Sequence, residues 1–144
     1  HGRAGSITVY EVHGHVRETT CMQCFREYPG LERLAQFIDD GAVPHCTACG
    51  GVLKPNVILF GEQLPAQVMN AAEQAARNCD LMLVAGSSLE TYPVADLPAR
   101  ARSRGARLII VNRETTPLDA LADVVIHADV AEALPAIAAA VLDG

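Results

Sequence analysis

The chain has 144 residues, half of them hydrophobic, and a formal net charge of −6 at pH 7. This length fits one domain with at most a small satellite, and the composition is typical of a packed core and not of a disordered chain. The acidic balance argues against nucleic acid as the main partner, and no apolar run reaches the roughly 18 residues that a membrane span needs. We expect no signal peptide, no membrane segment and a cytoplasmic location.

In the first half of the chain, short apolar runs flank a cysteine-rich stretch. Residues 7–12 predict a strand that ends at His13-Gly14, and residues 31–37 are compatible with a helix. The apolar run at 57–60 predicts a buried strand, and the segment 66–78, rich in Ala, Gln and Arg, predicts a helix.

The second half of the chain is more regular. In chain order, the predicted elements are a strand at 81–85, a helix at 93–104 stopped by Gly105, a strand at 108–111, a helix start with Thr116 as N-cap, a strand at 124–126 and a helix at 131–142. Continuous apolar strands that alternate with helices of about a dozen residues indicate βαβ units and a parallel sheet covered on both faces.

Polar or glycine-rich residues follow each predicted strand. They are His13-Gly14, Phe60-Gly61-Glu62, Gly86-Ser87-Ser88, Asn112-Arg113-Glu114 and His127. Any one of them is explained by the ordinary polarity of loops. Because ligands of parallel sheets bind at the carboxyl ends of the strands, the five together favour a binding site.

The cysteines form two pairs, Cys21-x2-Cys24 and Cys46-x2-Cys49, with 21 residues between the pairs. This spacing is typical of a four-thiolate zinc site, and the glycines at 50 and 51 suit the second tight turn. Two redox-active pairs are the alternative interpretation. Four thiolates leave no open coordination position, so the zinc would be structural, and reduced thiolates fit the cytoplasm. The fifth cysteine, Cys79, is interpreted as a small buried hydrophobe.

These features predict an α/β fold with a Rossmann-like, mostly parallel sheet and an inserted zinc module. The predicted domains are a Rossmann-like domain at 1–14 and 55–144, and a zinc-binding module at 15–54.

The motifs, in their order, resemble the sirtuin family of NAD-dependent protein deacylases over nearly the whole chain. The matching segments are HGRAGS at 1–6, EVHG at 11–14, the two cysteine pairs, GGVLKPNVILFGE at 50–62, DLMLVAGSSL at 80–89, IVN at 110–112 and LP at 134–135. Ser87 stands where the family often has Thr, and Asn56 replaces a common Asp. The family's Gly-rich phosphate loop and its Gln-Asn-Ile-Asp segment have no counterpart in these residues. We therefore expect the sequence to be part of a longer protein, with little activity alone and a tendency to self-associate.

The resemblance implies a protein-lysine deacylase, most simply a deacetylase, that transfers the acyl group to the ADP-ribose of NAD and releases nicotinamide. It implies that His13 takes a proton from a ribose hydroxyl, a role that suits a near-neutral pKa. A histidine that merely caps a strand end is the alternative, and His15 is a nearby competitor for the role of base.

The resemblance also assigns the two substrates and the metal to particular residues. For NAD they are Gly86, Ser87, Ser88, Asn112, Glu114 and Val130; for an acyl-lysine protein or peptide, Ile58, Phe60, Gly61 and Glu62; for zinc, Cys21, Cys24, Cys46 and Cys49. An ordinary strand-to-helix turn and a core strand are the alternatives for the first two sets.

Two other functions compete with the deacylase. A zinc-stabilised module that binds NAD or ADP-ribose without catalysis would keep the strand-end residues but would not use His13. A zinc-ribbon nucleic-acid binder is disfavoured by the acidic charge and by an aromatic content of only 4%.

Overall fold

The computed structural model describes residues 1–142, and its strands form two separate three-stranded sheets. The chain divides into two units, the first comprising His1–Val68 and the second beginning at Met69. The domain division predicted from the sequence, with a zinc-binding module at 15–54, differs from these two units and stays a proposal. None of the helices within residues 1–142 is long and apolar enough to cross a bilayer.

The first unit is built on an antiparallel sheet. Its strands are β1 (Gly14–Cys21), β2 (Glu27–Pro29) and β3 (Leu53–Val57), in the order β2-β1-β3. Helix α1 (Gly30–Asp40) follows β2 and contains the predicted helical stretch 31–37. The helix ends at Gly41, which takes a φ of +70° and donates its N–H to the Phe37 carbonyl, as glycines at helix ends commonly do.

Of the two strands predicted in this unit, the one at 7–12 is wrong and the one at 57–60 is shifted along the sequence. Residues 7–12 form no strand; the Ile7 side chain is fully exposed and β1 begins only at Gly14. A strand needs a pairing partner for its backbone, and within residues 1–142 nothing pairs with 7–12. The predicted strand 57–60 is shifted toward the N-terminus, since β3 ends at Val57 and the chain turns there, with the Glu62 N–H bonded to the Leu59 carbonyl.

The second unit contains the parallel sheet, which confirms the predicted fold class. Strands β4 (Leu81–Ala85), β5 (Arg107–Val111) and β6 (Val124–Ile126) pair in parallel in the order β4-β5-β6. Helices α2 (Ala66–Asn78), α3 (Leu97–Ser103) and α4 (Val130–Leu142) complete the α/β pattern. The central strand β5 is the most deeply buried strand of this sheet, and Leu108, Ile110 and Val111 are fully buried. Each such side chain contributes about 1.5–3 kcal/mol of burial free energy.

Two helices of the second unit differ from their prediction. The helix predicted at 93–104 is split into a 3-10 turn at Val94–Asp96 and α3, with Pro98 in the first turn of α3, where proline is tolerated because that N–H has no intrahelical partner. Gly105, with a φ of +99°, follows as predicted. The Thr116 hydroxyl accepts the Leu118 N–H, but the segment that follows is a 3-10 turn, Asp119–Leu121, and not a longer helix.

Candidate functional site

The four predicted zinc ligands converge in the first unit. The sulfurs of Cys21, Cys24, Cys46 and Cys49 all lie within 4.8 Å of one another. The Cys21–Cys49 and Cys24–Cys46 sulfur separations are 3.5 and 3.6 Å, close to the edge of about 3.8 Å that a tetrahedron of zinc–sulfur bonds requires. Each of these two contacts joins a cysteine of one pair to a cysteine of the other, which disfavours two independent redox pairs.

Backbone groups shape both turns of the cluster. The N–H groups of Gln23 and Cys24 point at the Cys21 sulfur, at 3.4 and 3.5 Å. The Ala48 N–H points in the same way at the Cys46 sulfur, at 3.4 Å. The two glycines fit as predicted. Gly50 has a φ of +75°, and a Cβ on Gly51 would lie 2.9 Å from the Cys21 sulfur.

The thiols of the cluster differ in their affinity for protons. The Tyr28 hydroxyl donates to the Cys46 sulfur at 2.9 Å and lowers the pKa of that thiol to about 6. At Cys49 the Gly51 N–H acts to lower the pKa, but the neighbouring sulfurs of Cys24 and Cys21 outweigh it and raise the value to about 12. Four sulfurs this close repel one another as anions unless a cation sits among them. The donor set therefore fits a closed four-thiolate zinc site.

A cleft of about 340 Å³ opens at the carboxyl ends of the parallel strands in the second unit. We call it the strand-end cleft; its lining residues are Gly86, Ser88, Asn112, Arg113, Glu114, Ala128, Asp129 and Val130. Parallel strands bring their carboxyl ends to one edge, and this is why segments far apart in sequence meet here. Every residue predicted to bind NAD lines this cleft except Ser87.

The turn at Gly86 explains why the neighbouring residues Ser87 and Ser88 line different clefts. Gly86 donates its N–H to the Val111 carbonyl at 2.9 Å and takes a φ of +62°. After this turn Ser88 lines the strand-end cleft, whereas Ser87 lines an apolar cleft of about 380 Å³ elsewhere in the second unit. The Ser87 hydroxyl instead accepts the Leu89 N–H at 3.3 Å. The assignment of Ser87 to NAD stays a prediction.

The sequence analysis gave no specific role to three residues of this cleft: Arg113, which it named only as a strand-end residue, and Ala128 and Asp129. Asp129 accepts the Ala131 N–H at the start of α4, at 2.8 Å, and forms an ion pair with Arg113. The Arg113 guanidinium, and then the Ala131 N–H, hold the pKa of Asp129 below its usual range. An Asp just before an Ala-rich helix is a recognisable N-cap signal, but nothing in the sequence pairs it with Arg113.

A second cleft, of about 540 Å³, belongs to the first unit, and we call it the first-unit cleft. Its walls are Val9, Tyr10, Glu11, Gly14, His15, Thr20, Met22, Lys54, Pro55, Asn56, Ile58, Glu62, Pro65 and Val68. Of the predicted peptide-binding residues, Ile58 and Glu62 line it. Phe60 is almost fully exposed and Gly61, at a φ of +91°, forms the adjoining turn.

His13 lies at the turn before β1, not at the end of a strand, which corrects the expected position. Its side chain is exposed, and its carbonyl accepts the Ile58 N–H at 3.0 Å. The next residue must be glycine, because a Cβ on Gly14 would lie 1.9 Å from the Asn56 carbonyl oxygen. His15 lines the first-unit cleft, with its Nδ1 buried and unbonded within the described residues.

Comparison with protein families decides the relationship. A model of the Sir2 family matches residues 1–93. The chain belongs to the Sir2 family.

Its Sir2 relatives include an NAD-dependent protein deacetylase of Caldivirga maquilingensis, 45% identical over 134 residues, or 93% of this chain and 51% of that protein. NAD-dependent protein deacylase 2 of Archaeoglobus fulgidus is 43% identical over 138 residues, or 95% of this chain and 54% of that protein. The chain thus spans about half the length of the curated relatives it matches.

Solved Sir2 structures resemble the whole chain. A structure of Sir2Tm bound to a propionylated peptide has a TM-score of 0.91 at 35% identity and covers 100% of this chain and 60% of its own. A Sir2–p53 peptide–NAD+ structure has the same TM-score, identity and coverage.

Proposed function

We propose that this chain carries part of an NAD-dependent protein-lysine deacylase, most simply a deacetylase. The observation that carries the proposal is the strand-end cleft, lined by Gly86, Ser88, Asn112, Glu114 and Val130, in a Sir2 chain whose relatives are named NAD-dependent protein deacetylases and deacylases. The proposed enzyme transfers the acyl group of a lysine to the ADP-ribose of NAD and releases nicotinamide.

The proposed NAD site uses backbone and side chain in different ways. Gly86 lets the backbone approach a phosphate or ribose closely, and the Ser88 hydroxyl can bond to the same group. Glu114 offers a carboxylate, and Asn112 an amide, to the paired hydroxyls of a ribose. Asn112 is held in place, since its Nδ2 donates to the Glu114 carbonyl at 2.9 Å. Ser87 remains a candidate for binding NAD, from its position in the turn that follows Gly86.

His13 is the proposed general base. It would take a proton from a ribose hydroxyl so that the oxygen can attack the acyl-bearing intermediate. The exposure of its imidazole supports this role, because a base must reach a substrate that arrives from solvent. The Gly14 turn supports it further, because it fixes the backbone next to His13 and the His13 carbonyl is bonded to Ile58.

An acyl-lysine peptide is the proposed second substrate. Among the described strands β3 pairs only with β1; its other edge is bonded to the Pro44 carbonyl at Leu53, and the rest of that edge can accept an extended peptide as an added strand. Ile58, Phe60 and Gly61 follow this edge, and the exposed ring of Phe60 offers apolar contact area to such a peptide.

Zinc is proposed to be structural. Four sulfurs fill a tetrahedral shell and leave no position for a substrate, so the metal would hold the two cysteine turns together. We also propose a cytoplasmic location, which the reduced, zinc-binding cysteines of the cluster support, because such cysteines persist in a reducing compartment.

Nicotinamide release from NAD, measured with and without an acetyl-lysine peptide, tests the proposed function. In the full-length protein that carries this chain we expect a steady-state rate of release that depends on the peptide and falls by at least about a hundredfold in His13→Ala, while NAD binding persists. NAD binding without release for any acyl peptide would contradict the proposal and favour a nucleotide-binding module without catalysis.

A further inference from the structure

An ion pair closes the loop that follows β3. We call residues 58–62 the cleft loop, because Ile58 and Glu62 at its two ends line the first-unit cleft. Lys54, within β3, places its Nζ 2.9 Å from the Glu62 carboxylate. The same ammonium donates to the Val57 carbonyl at 2.7 Å, at the point where the strand ends.

One oxygen of the Glu62 carboxylate, Oε2, contacts both Lys54 and the backbone of the cleft loop. Besides Lys54, it accepts the Leu59 N–H at 2.8 Å. Both side chains are partly shielded from water, with exposures of 23% for Lys54 and 36% for Glu62. The Leu59 N–H, and then Lys54, hold the pKa of Glu62 below its usual range, so the carboxylate stays charged at neutral pH.

Among residues 1–142, little else fixes the cleft loop. Its side chains at Leu59 and Phe60 are 57% and 97% exposed, so the loop contributes almost nothing to a core. The other backbone bonds are those of Ile58 to the His13 carbonyl and of Glu62 to the Leu59 carbonyl. A loop with few buried contacts opens at low free energy, and a charged pair that ties its two ends decides its shape.

We propose that Lys54 and Glu62 are a positioning pair that holds the cleft loop in the conformation that receives an acylated peptide. Glu62 then acts on the substrate through the loop and does not touch the peptide itself. Ile58, Phe60 and Gly61 remain the candidates for contact. This inference rests on the proposed deacylase function and refines the assignment of Glu62.

The Lys54–Glu62 pair is expected to affect binding of the acylated peptide and not binding of NAD. Breaking it leaves the peptide to order the loop on binding, so the KM for the acylated peptide rises. The KM for NAD and the kcat at saturating peptide are expected to change little. Loss of hydrogen bonds to a charged group predicts a rise in peptide KM of roughly fivefold or more.

A double-mutant cycle in the full-length protein tests the pair, with Glu62→Gln, Lys54→Met and the combined variant. We expect each single variant to raise the peptide KM. The double variant should raise it by about as much as either single variant does, and not by the product of the two single increases. Lys54→Arg keeps the cation and is expected to retain most of the affinity. Glu73→Gln is the matched control, since Glu73 forms partly exposed ion pairs with Arg77 and Arg100 in the second unit. It should leave the peptide KM unchanged.

Hydrogen exchange gives a readout that needs no activity. The Leu59 amide, bonded to Glu62, should exchange faster in both single variants without any ligand. If Lys54→Met fails to fold by circular dichroism, exchange of the Leu59 amide in Glu62→Gln, compared with Glu73→Gln, still tests whether Glu62 holds the loop.

Unchanged exchange of the Leu59 amide in the variants would refute the role of the pair in holding the loop. A peptide KM that is raised by Glu62→Gln with no coupling to Lys54 would also refute it, because that result would place Glu62 in direct contact with the peptide. A wild-type protein without peptide-dependent nicotinamide release would instead refute the proposed function, and with it the peptide half of this inference; Leu59 exchange would still decide whether the pair holds the loop.

Discussion

Gly14 is a residue at which the structure tolerates no side chain. It combines a φ of +71° with a backbone approach that would put a Cβ 1.9 Å from the Asn56 carbonyl oxygen. Gly41, in the same unit, has a φ of +70° but open space around the position of a Cβ. The two glycines therefore separate the energetic effect of the dihedral angle from that of the steric clash.

We predict that Gly41→Ala lowers the free energy of unfolding by about 1–2 kcal/mol, the strain of a left-handed backbone alone. Gly14→Ala adds the displacement of the Asn56 backbone and should cost roughly 3 kcal/mol or more. Urea unfolding of both variants provides the comparison. Equal losses of unfolding free energy in the two variants would show that the close approach of Gly14 to Asn56 does not affect stability.

Tyr28 is the residue beside the cysteine cluster whose hydroxyl reaches a sulfur, and the Arg33 guanidinium lies 5.9 Å from the centre of its ring. Removing the hydroxyl while keeping the ring, in Tyr28→Phe, should weaken zinc binding by about tenfold or more, because groups that bond to metal ligands commonly contribute this much. Competition with a chromogenic chelator measures the affinity. Tyr92→Phe, at an exposed tyrosine of the second unit, should bind zinc like the wild type. Unchanged affinity in Tyr28→Phe would refute the role of the hydroxyl.

At the scale of elements, Asp123 joins two strands of the parallel sheet. Its carboxylate accepts the Leu108 N–H at 2.8 Å and lies 3.3 Å from Arg102 and 3.5 Å from Arg107. The Leu108 N–H, and then the two arginines, hold the pKa of Asp123 below its ordinary value of 3.8. A lowered pKa in the folded state means that this stabilisation is present above pH 3.8 and is lost as the pH falls through the folded value.

We therefore predict that Asp123→Asn is less stable than the wild type at neutral pH, and that the difference shrinks as the pH falls below 3.8. Thermal unfolding across this range measures the difference. Asp80→Asn, at an exposed carboxyl before β4, serves as the control with little effect. A difference between wild type and Asp123→Asn that is independent of pH would mean that the charge of Asp123 does not stabilise the sheet.

The sequence predicted some elements well and others poorly, for physical reasons. Strands β4, β5 and β6 match the predicted runs closely, because each coincides with an uninterrupted apolar run of the sequence; of the three, only β5 is mostly buried. Strand β1, with the sequence GHVRETTC, carries no such pattern, and its pairing with β2 and β3 defines it. The apolar and aromatic residues at 7–12 looked like a strand, but propensity alone forms no sheet.

The same contrast holds for the candidate sites. The cysteine cluster and most of the strand-end cleft were predictable, since ligand spacing and strand ends can be read from sequence. The separation of Ser87 from Ser88 depends on the turn at Gly86, which sequence does not specify. The Arg113–Asp129 and Lys54–Glu62 pairs join residues that only the folded chain brings together.

At the scale of the whole molecule, the proposed zinc site and the proposed NAD site belong to different units. The four sulfurs form a closed donor set in the first unit, whereas the strand-end cleft that we assign to NAD belongs to the second unit. A lysine deacylase can work by metal-assisted hydrolysis or by acyl transfer to a co-substrate. The closed sulfur shell and the Sir2 membership favour acyl transfer, which consumes one NAD for each lysine that is deacylated.

Product stoichiometry is the measurement that tests this central claim most directly. The full-length protein is incubated with an acetyl-lysine peptide and NAD, and the products are quantified by mass spectrometry. We predict equal amounts of deacetylated peptide, nicotinamide and acetylated ADP-ribose, and no deacetylation when NAD is omitted. Deacetylation that proceeds without NAD and yields free acetate would contradict the account.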